Sequence, residues 1–179
     1  MVAAAATCGD VTITNVTPKH LESIIAKLVE AGANITQYDE AVRVKMEGRP
    51  NRCQVKTMPH PGFPTDMQPQ ITTFLSIAQG DSVVTEGVWD NRFRYVDELK
   101  KMGADIRIEG KRALITGKEE LSPGVVNATD LRAGAAMVIA GLMTKGKTTV
   151  QDIMYIDRGY EDLVEKLTKL GANIRRVYE

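Results

Sequence analysis

Apolar residues recur along this chain with two distinct periods. Leu21, Ile24, Ile25 and Leu28 stand at i, i+3, i+4 and i+7, which puts four side chains on one face of a helix. Leu163, Leu167 and Leu170 do the same near the other end. A second kind of helix is predicted where Ile71, Phe74, Leu75 and Ala78 form a stripe. Residues 133–143 are apolar almost all round, the pattern of a helix buried at a domain centre. Val42, Val44 and Met46 alternate with polar neighbours, the two-residue period of a half-buried strand.

These patterns come in three copies. Gly9-Asp10-Val11-Thr12-Ile13-Thr14 leads through a helical stretch to Leu28 and then Gly32-Ala33-Asn34-Ile35. Gly80-Asp81-Ser82-Val83-Val84-Thr85 leads to Leu99 and Gly103-Ala104-Asp105-Ile106. Gly146-Lys147-Thr148-Thr149-Val150 leads to Leu167 and Gly171-Ala172-Asn173-Ile174. The closing glycines are 71 and 68 residues apart. Each is expected to end its helix, because glycine takes the left-handed C′ conformation without steric cost, and to lead into a strand. The alternation at Val42–Met46 and the polar turn Glu109-Gly110-Lys111 predict a hairpin after the first two of these helices. Thr65-Asp66 and Thr129-Asp130 introduce the other helix of a unit, 14 and 16 residues before Gly80 and Gly146.

The unit therefore reads strand, helix, strand, helix, strand, strand, which implies a layered α/β domain with parallel crossovers. The repeats run approximately over 1–57, 58–121 and 122–179. In that register Val2–Thr7 is the tail of a helix, and the third copy stops after one strand near Val177. The ends read as cut from a larger architecture: a fragment, or one lobe of a bigger protein.

At 179 residues, 43% of them apolar and 26% charged, the chain has ordinary globular composition and enough length for a core without metal or disulfide staples. Lys plus Arg and Asp plus Glu are both 23. With no net field, neither nucleic acid nor an anionic membrane is an expected partner, and any anion site must be local. The apolar stretch 131–143 contains Arg132 and falls short of the ~20 residues a membrane span needs. Met1–Ala6 is too short for a signal peptide. Cys8 and Cys53 lack metal-ligand spacing and read as structural thiols in a reduced, cytoplasmic setting. His20 and His60 do not cluster with other ligands, so neither a metal nor a cofactor is expected.

Four features could carry chemistry. Gly141–Thr148 matches the phosphate-cradling pattern G-x-x-x-x-G-K-[ST], but a helix precedes it and a strand follows, the reverse of what that loop requires. It reads as a helix-to-strand turn. Asp66 follows the stiff run Pro59-His60-Pro61-Gly62-Phe63-Pro64 and is equally readable as a helix cap or a catalytic base. Asp130 is favoured as a cap. Arg92 and Arg158 each lie 12 residues after their repeat's glycine, each just after an acid and near an expected helix start. A cation there opposes the helix dipole. Either the two guanidinium groups converge on an anion, which they fit bidentately, or each pairs with its neighbouring Asp. Convergence is favoured, because Leu21 fills the place in the first repeat. Trp89 and Tyr95 read as packing residues.

Pro61-Gly62-Phe63-Pro64-Thr65-Asp66-Met67-Gln68, Asp90-Asn91-Arg92-Phe93, Ala128-Thr129-Asp130-Leu131-Arg132-Ala133 and Asp157-Arg158-Gly159-Tyr160-Glu161 resemble, in order and over essentially the whole chain, the C-terminal half of the UDP-N-acetylglucosamine 1-carboxyvinyltransferases of the enolpyruvyl transferase family. The resemblance implies an inside-out α/β barrel lobe of βαβαββ repeats, helices inside and sheets outside. It implies transfer of the enolpyruvyl group of phosphoenolpyruvate to the 3-hydroxyl of UDP-N-acetylglucosamine with release of phosphate, the first committed step of peptidoglycan synthesis and so of cell-wall building, shape and division. By the same resemblance Asp66 is the base near that hydroxyl and Asp130 a second acid in proton transfer. Arg92 and Arg158 hold phosphoenolpyruvate or its phosphate, and Val88 touches the sugar nucleotide through its backbone. Arg132 is given a structural or electrostatic role. Asp90 stands where the family more often has Glu. The family's reactive cysteine and N-terminal lysine lie in its other lobe, and neither Cys8 nor Cys53 matches them. The N-terminal lobe of the same enzyme is thus the implied partner, and this chain by itself is expected to be inactive. The alternative is a non-catalytic module that binds a phosphate or sugar nucleotide.

Overall fold

The computed structural model describes residues 1–178. Three helices, α1 (Val2–Ala6), α3 (Gln68–Leu75) and α5 (Leu131–Met143), pack on one another at the centre. Their contact is made of Val2, Ala5, Ile71, Phe74, Leu75, Ala133, Ala136, Met137 and Ala140, all essentially inaccessible. Small residues on α1 and α5 let these helices approach closely. All eight residues of α3 are buried, not just a stripe, and the helix stops at Leu75, leaving Ala78 buried in the turn beyond it.

Strands form an outer layer. β1 (Asp10–Thr14), β2 (Asn34–Gln37) and β3 (Ala41–Lys45) make one antiparallel sheet in the order β1-β3-β2. Val42 and Val44 point inward with no exposure, while Arg43 between them faces water. The second sheet has the order β4-β5-β7-β6, from β4 (Gln54–Lys56), β5 (Asp81–Thr85), β6 (Asp105–Glu109) and β7 (Arg112–Thr116). Its β4–β5 pair is parallel, joined through α3, and the β6–β7 pair is the expected hairpin. β4 thus joins the sheet of β5 and not that of β1. β8 (Val125–Asn127) and β9 (Thr149–Gln151) form the third, parallel pair across α5. The helices α2 (Glu22–Glu30), α4 (Val96–Lys101), α6 (Met154–Gly159) and α7 (Leu163–Lys169) complete the units.

The repeat shows most clearly at the helix ends. Ala33, Ala104 and Ala172 donate their N–H to Leu28, Leu99 and Leu167 carbonyls at 2.9, 3.1 and 3.0 Å. The glycine before each has φ of +101°, +84° and +96°, a conformation that strains any residue with a Cβ. The copies then diverge. Residues 172–178 form no strand, contrary to the sequence expectation. In the first two units the strand after the glycine is held by its hairpin partner, β3 or β7; among the described residues the third has no such partner. The stripe of α7 is correspondingly thin. Leu163 and Leu167 lean on a small cluster around Ala128, Val138 and Ile156, but Leu170 is 63% exposed. Gly141–Thr148 spans the last turn of α5 and the connection to β9, the helix-to-strand order its sequence predicted.

Candidate active site

Asp66 is presented by a stapled loop. Thr57 N–H donates to the Thr85 carbonyl at 2.9 Å, Met58 N–H to Phe63 O at 2.9 Å, and Gly62 N–H to Pro59 O at 2.8 Å. Phe63 plugs the core at 4% exposure. Pro64 then enters a single 3₁₀ turn, Thr65–Met67, ahead of α3. The Asp66 carboxylate caps neither this turn nor α3. It reaches sideways to two guanidinium groups. Arg132 Nε donates to its Oδ1, and Arg92 Nη1 lies 3.5 Å from the same oxygen.

Arg132 comes from the start of α5. That start is fixed by Asp130, whose Oδ1 accepts from the backbone N–H of Arg132 at 2.8 Å and of Ala133 at 2.9 Å. Asp130 is thus the N-cap that the sequence favoured. One cap bond goes to the very residue whose side chain holds Asp66, so the two acids are linked through Arg132. Arg92 stacks over Trp89, 5.8 Å from the ring centre, and makes no hydrogen bond among the described residues. The Arg132 hydrogen bond, reinforced by both guanidinium charges against a partial desolvation cost, holds the Asp66 carboxyl below its ordinary value of 3.8. The same pairing raises Arg132 above its ordinary range. An ionised carboxylate so held can accept a hydrogen bond from a hydroxyl and is a weaker base than an unpaired Asp.

Several expectations change at this level. Neither Arg92 nor Arg158 pairs with its neighbouring Asp: Asp90 takes Lys111 at 2.8 Å, and Asp157 takes Arg176. Arg92 lies in the turn four residues before α4, but Arg158 sits in the last turn of the short α6, where a cation is favoured by the dipole. α6 begins at Met154, ahead of Arg158, and the next helix, α7, begins at Leu163, after it. The structure brings Asp66, Arg92 and Arg132 together. Arg158 is exposed on the neighbouring segment, next to Gly159, whose Cα packs so tightly on Leu131 that a Cβ would lie 2.5 Å from Leu131 Cδ1. Trp89 is 57% exposed, not packed, and Cys8 is exposed, its Sγ donating weakly to Gly48 O at 3.4 Å. Among the described residues, no group of three or more His, Cys, Asp or Glu is placed to hold a metal ion.

Comparison with known proteins agrees with this architecture. Residues 1–167 match the family model of EPSP synthase (3-phosphoshikimate 1-carboxyvinyltransferase). UDP-N-acetylglucosamine 1-carboxyvinyltransferase of Desulfofundulus thermocisternus is 53% identical over 176 residues, covering 98% of this chain and 72% of that protein. The chain belongs to the enolpyruvyl transferase family, in its UDP-N-acetylglucosamine branch. UDP-N-acetylglucosamine 1-carboxyvinyltransferase 3 of Caldanaerobacter subterraneus subsp. tengcongensis is 56% identical over all 179 residues. The chain spans 43% of that relative's length and 42% of the Clostridium botulinum enzyme's, at 52% identity. Among solved structures, the enolpyruvyl transferase NikO from Streptomyces tendae superposes with a TM-score of 0.86 at 27% identity, over 97% of this chain and 42% of that one. The enolpyruvyl transferase fold, with helices inside and sheets outside, is therefore the fold of this chain.

Around this cluster, sequence reasoning gave Arg132 only a structural or electrostatic role and missed Glu86. Glu86, 1% exposed at the end of β5, accepts from Thr57 Oγ1 at 2.7 Å, Val88 N–H at 2.9 Å, Trp89 N–H at 3.1 Å and Thr65 Oγ1 at 3.0 Å. The Val88 N–H is thereby used up, which leaves its carbonyl as the backbone group open to a ligand. No sequence signal marks Glu86; in the structure a Cβ on the following Gly87 would sit 2.3 Å from the Thr57 carbonyl oxygen. So close a crossing of two chain segments leaves a neighbouring acid no route to water.

Proposed function

We propose that this chain supplies one wall of the cleft in which an enolpyruvyl group passes from phosphoenolpyruvate to the 3-hydroxyl of UDP-N-acetylglucosamine, with release of phosphate. Addition of the hydroxyl to the double bond is followed by elimination of phosphate. The observation that carries the reading is one ionised carboxylate, Asp66, held by Arg132 and Arg92 at the start of the central helix. Asp66 accepts the hydroxyl hydrogen. Arg92, with guanidinium N–H groups to spare, and Arg158 neutralise the carboxylate or phosphate of phosphoenolpyruvate. Asp130 commits Oδ1 to the helix cap and offers Oδ2 for proton transfer. Val88 contacts the sugar nucleotide through its carbonyl. The reaction needs a second lobe as partner and takes place in the cytoplasm, as a step of peptidoglycan synthesis; no helix among the described residues is long and apolar enough to cross a membrane.

The test is phosphate release with both substrates, measured on this chain alone and with the remaining part of the Caldanaerobacter relative added in trans. The chain alone is expected to be inactive. The pair is expected to turn over, and Asp66→Asn to lower turnover by about 10²–10⁴-fold. Tight sugar-nucleotide binding by the pair without phosphate release would replace the transferase reading with that of a binding module.

A further inference from the structure

We propose that Glu86 is a positioning residue for this site, a single buried carboxylate that fixes the Asp66 loop and the Val88–Arg92 turn relative to each other. The inference rests on the transferase reading above and deepens it. Glu86 has no cationic partner among the described residues. Four neutral donors satisfy it instead, and they come from only two segments. Thr57 and Thr65 flank the loop that presents Asp66, and Val88 and Trp89 open the turn that carries Arg92. Thr65 is the residue before Asp66, and the Trp89 ring supports the Arg92 guanidinium. Gly87 N–H completes the knot by donating to Thr57 Oγ1 at 2.8 Å. Oε1 accepts from Thr57, Val88 and Trp89 and Oε2 from Thr65, so the one side chain holds both segments at once. Both its oxygens are taken by these donors, so its action on substrate passes through Asp66, Val88 and Arg92.

The experiment uses Glu86→Gln, Glu86→Ala and Thr65→Val, both in the two-lobe assembly and in this chain alone. A displacement of a site group by about 1 Å costs on the order of 100-fold, so Glu86→Ala is expected to lose roughly that in kcat/KM. Glu86→Gln keeps one acceptor oxygen and the shape, and is expected to recover most of the loss, to within ~10-fold of wild type. Thr65→Val cuts only the arm beside Asp66 and is expected to lower kcat by ~10-fold with both KM values within about twofold. In the Glu86→Ala background it is expected to add nothing further. In the chain alone, Val88 and Trp89 amides are expected to exchange ~10-fold faster in Glu86→Ala and to be unchanged in Thr65→Val.

Wild-type exchange and kinetics in Glu86→Ala, or losses that follow thermal stability and add to those of Thr65→Val, would overturn the proposal. Should Glu86→Ala not fold, Glu86→Gln and Thr65→Val carry the test by the same kinetic split. Should the wild-type assembly release no phosphate, the transferase reading falls, and the exchange rates still decide whether Glu86 fixes the turn.

Discussion

Arg132→Met separates the charge of Arg132 from its hydrocarbon stem, and so isolates what the guanidinium does to Asp66. The side chains of Asp66 and Arg132 are 58% and 36% exposed. Water screens such a pair, so its contribution to stability is about 0.2–1 kcal/mol despite the direct hydrogen bond. Its sign with pH is fixed by the lowered folded-state pKa of Asp66, caused first by the Arg132 hydrogen bond. The contribution is complete above the ordinary Asp value of 3.8 and is lost as pH falls through the lower folded value. The variant should therefore be less stable than wild type at neutral pH by about 0.5 kcal/mol, and this difference should vanish in acid once Asp66 is protonated. The sharper readout is the Asp66 carboxyl carbon followed by NMR through an acid titration. Its midpoint should rise on replacement of Arg132, whose hydrogen bond is the largest cause holding it down. An unmoved midpoint, or a stability difference that persists unchanged at low pH, would refute the pairing and with it the geometry on which the proposed role of Asp66 rests.

Asp130→Ala removes the side-chain cap of α5 and should cost about 1 kcal/mol in urea unfolding, with Asp130→Asn retaining most of it. Gly87→Ala forces a methyl to within 2.3 Å of a backbone oxygen, an overlap no rotamer relieves. It should destabilise by roughly 2–3 kcal/mol in the same assay. Gly48→Ala, at φ +79° but with open space around it, should cost about 1–2 kcal/mol from backbone strain alone. Burial, followed by the neighbouring Glu30, pushes the Cys53 thiol up to about 12, whereas Cys8 is exposed. Labelling with a disulfide reagent at pH 8 should therefore modify Cys8 in the native chain and reach Cys53 only after unfolding.

The repeat was legible because it rests on local physics. A helical stripe, a left-handed glycine and an alternating strand each leave a mark within a few residues, and three copies in register make the unit plain. The same locality explains the miss after Gly171. Ala172-Asn173-Ile174 carries the sequence of a strand, but a strand is defined by its ladder, and the partner that β2 and β6 find lies outside the segment itself. Asp66 was half legible. Its proline-rich approach marked it as unusual, yet choosing between cap and site depended on Arg132, 66 residues away and brought in by the packing of α3 against α5. Arg158 keeps the spacing of Arg92 from its repeat glycine, yet it sits in the last turn of α6, a helix with no counterpart between β5 and α4.

Glu86 was the hardest to see, because Thr-Glu-Gly at a strand end is the usual sequence of a chain turning into water. It is buried only because the 57–65 loop folds over it, and that loop closes because Gly87 lets the Thr57 carbonyl come close. Glu86 is thus fixed by contacts 21 and 29 residues away within its own unit, whereas Asp66 is fixed by a residue of the next unit, 66 residues on.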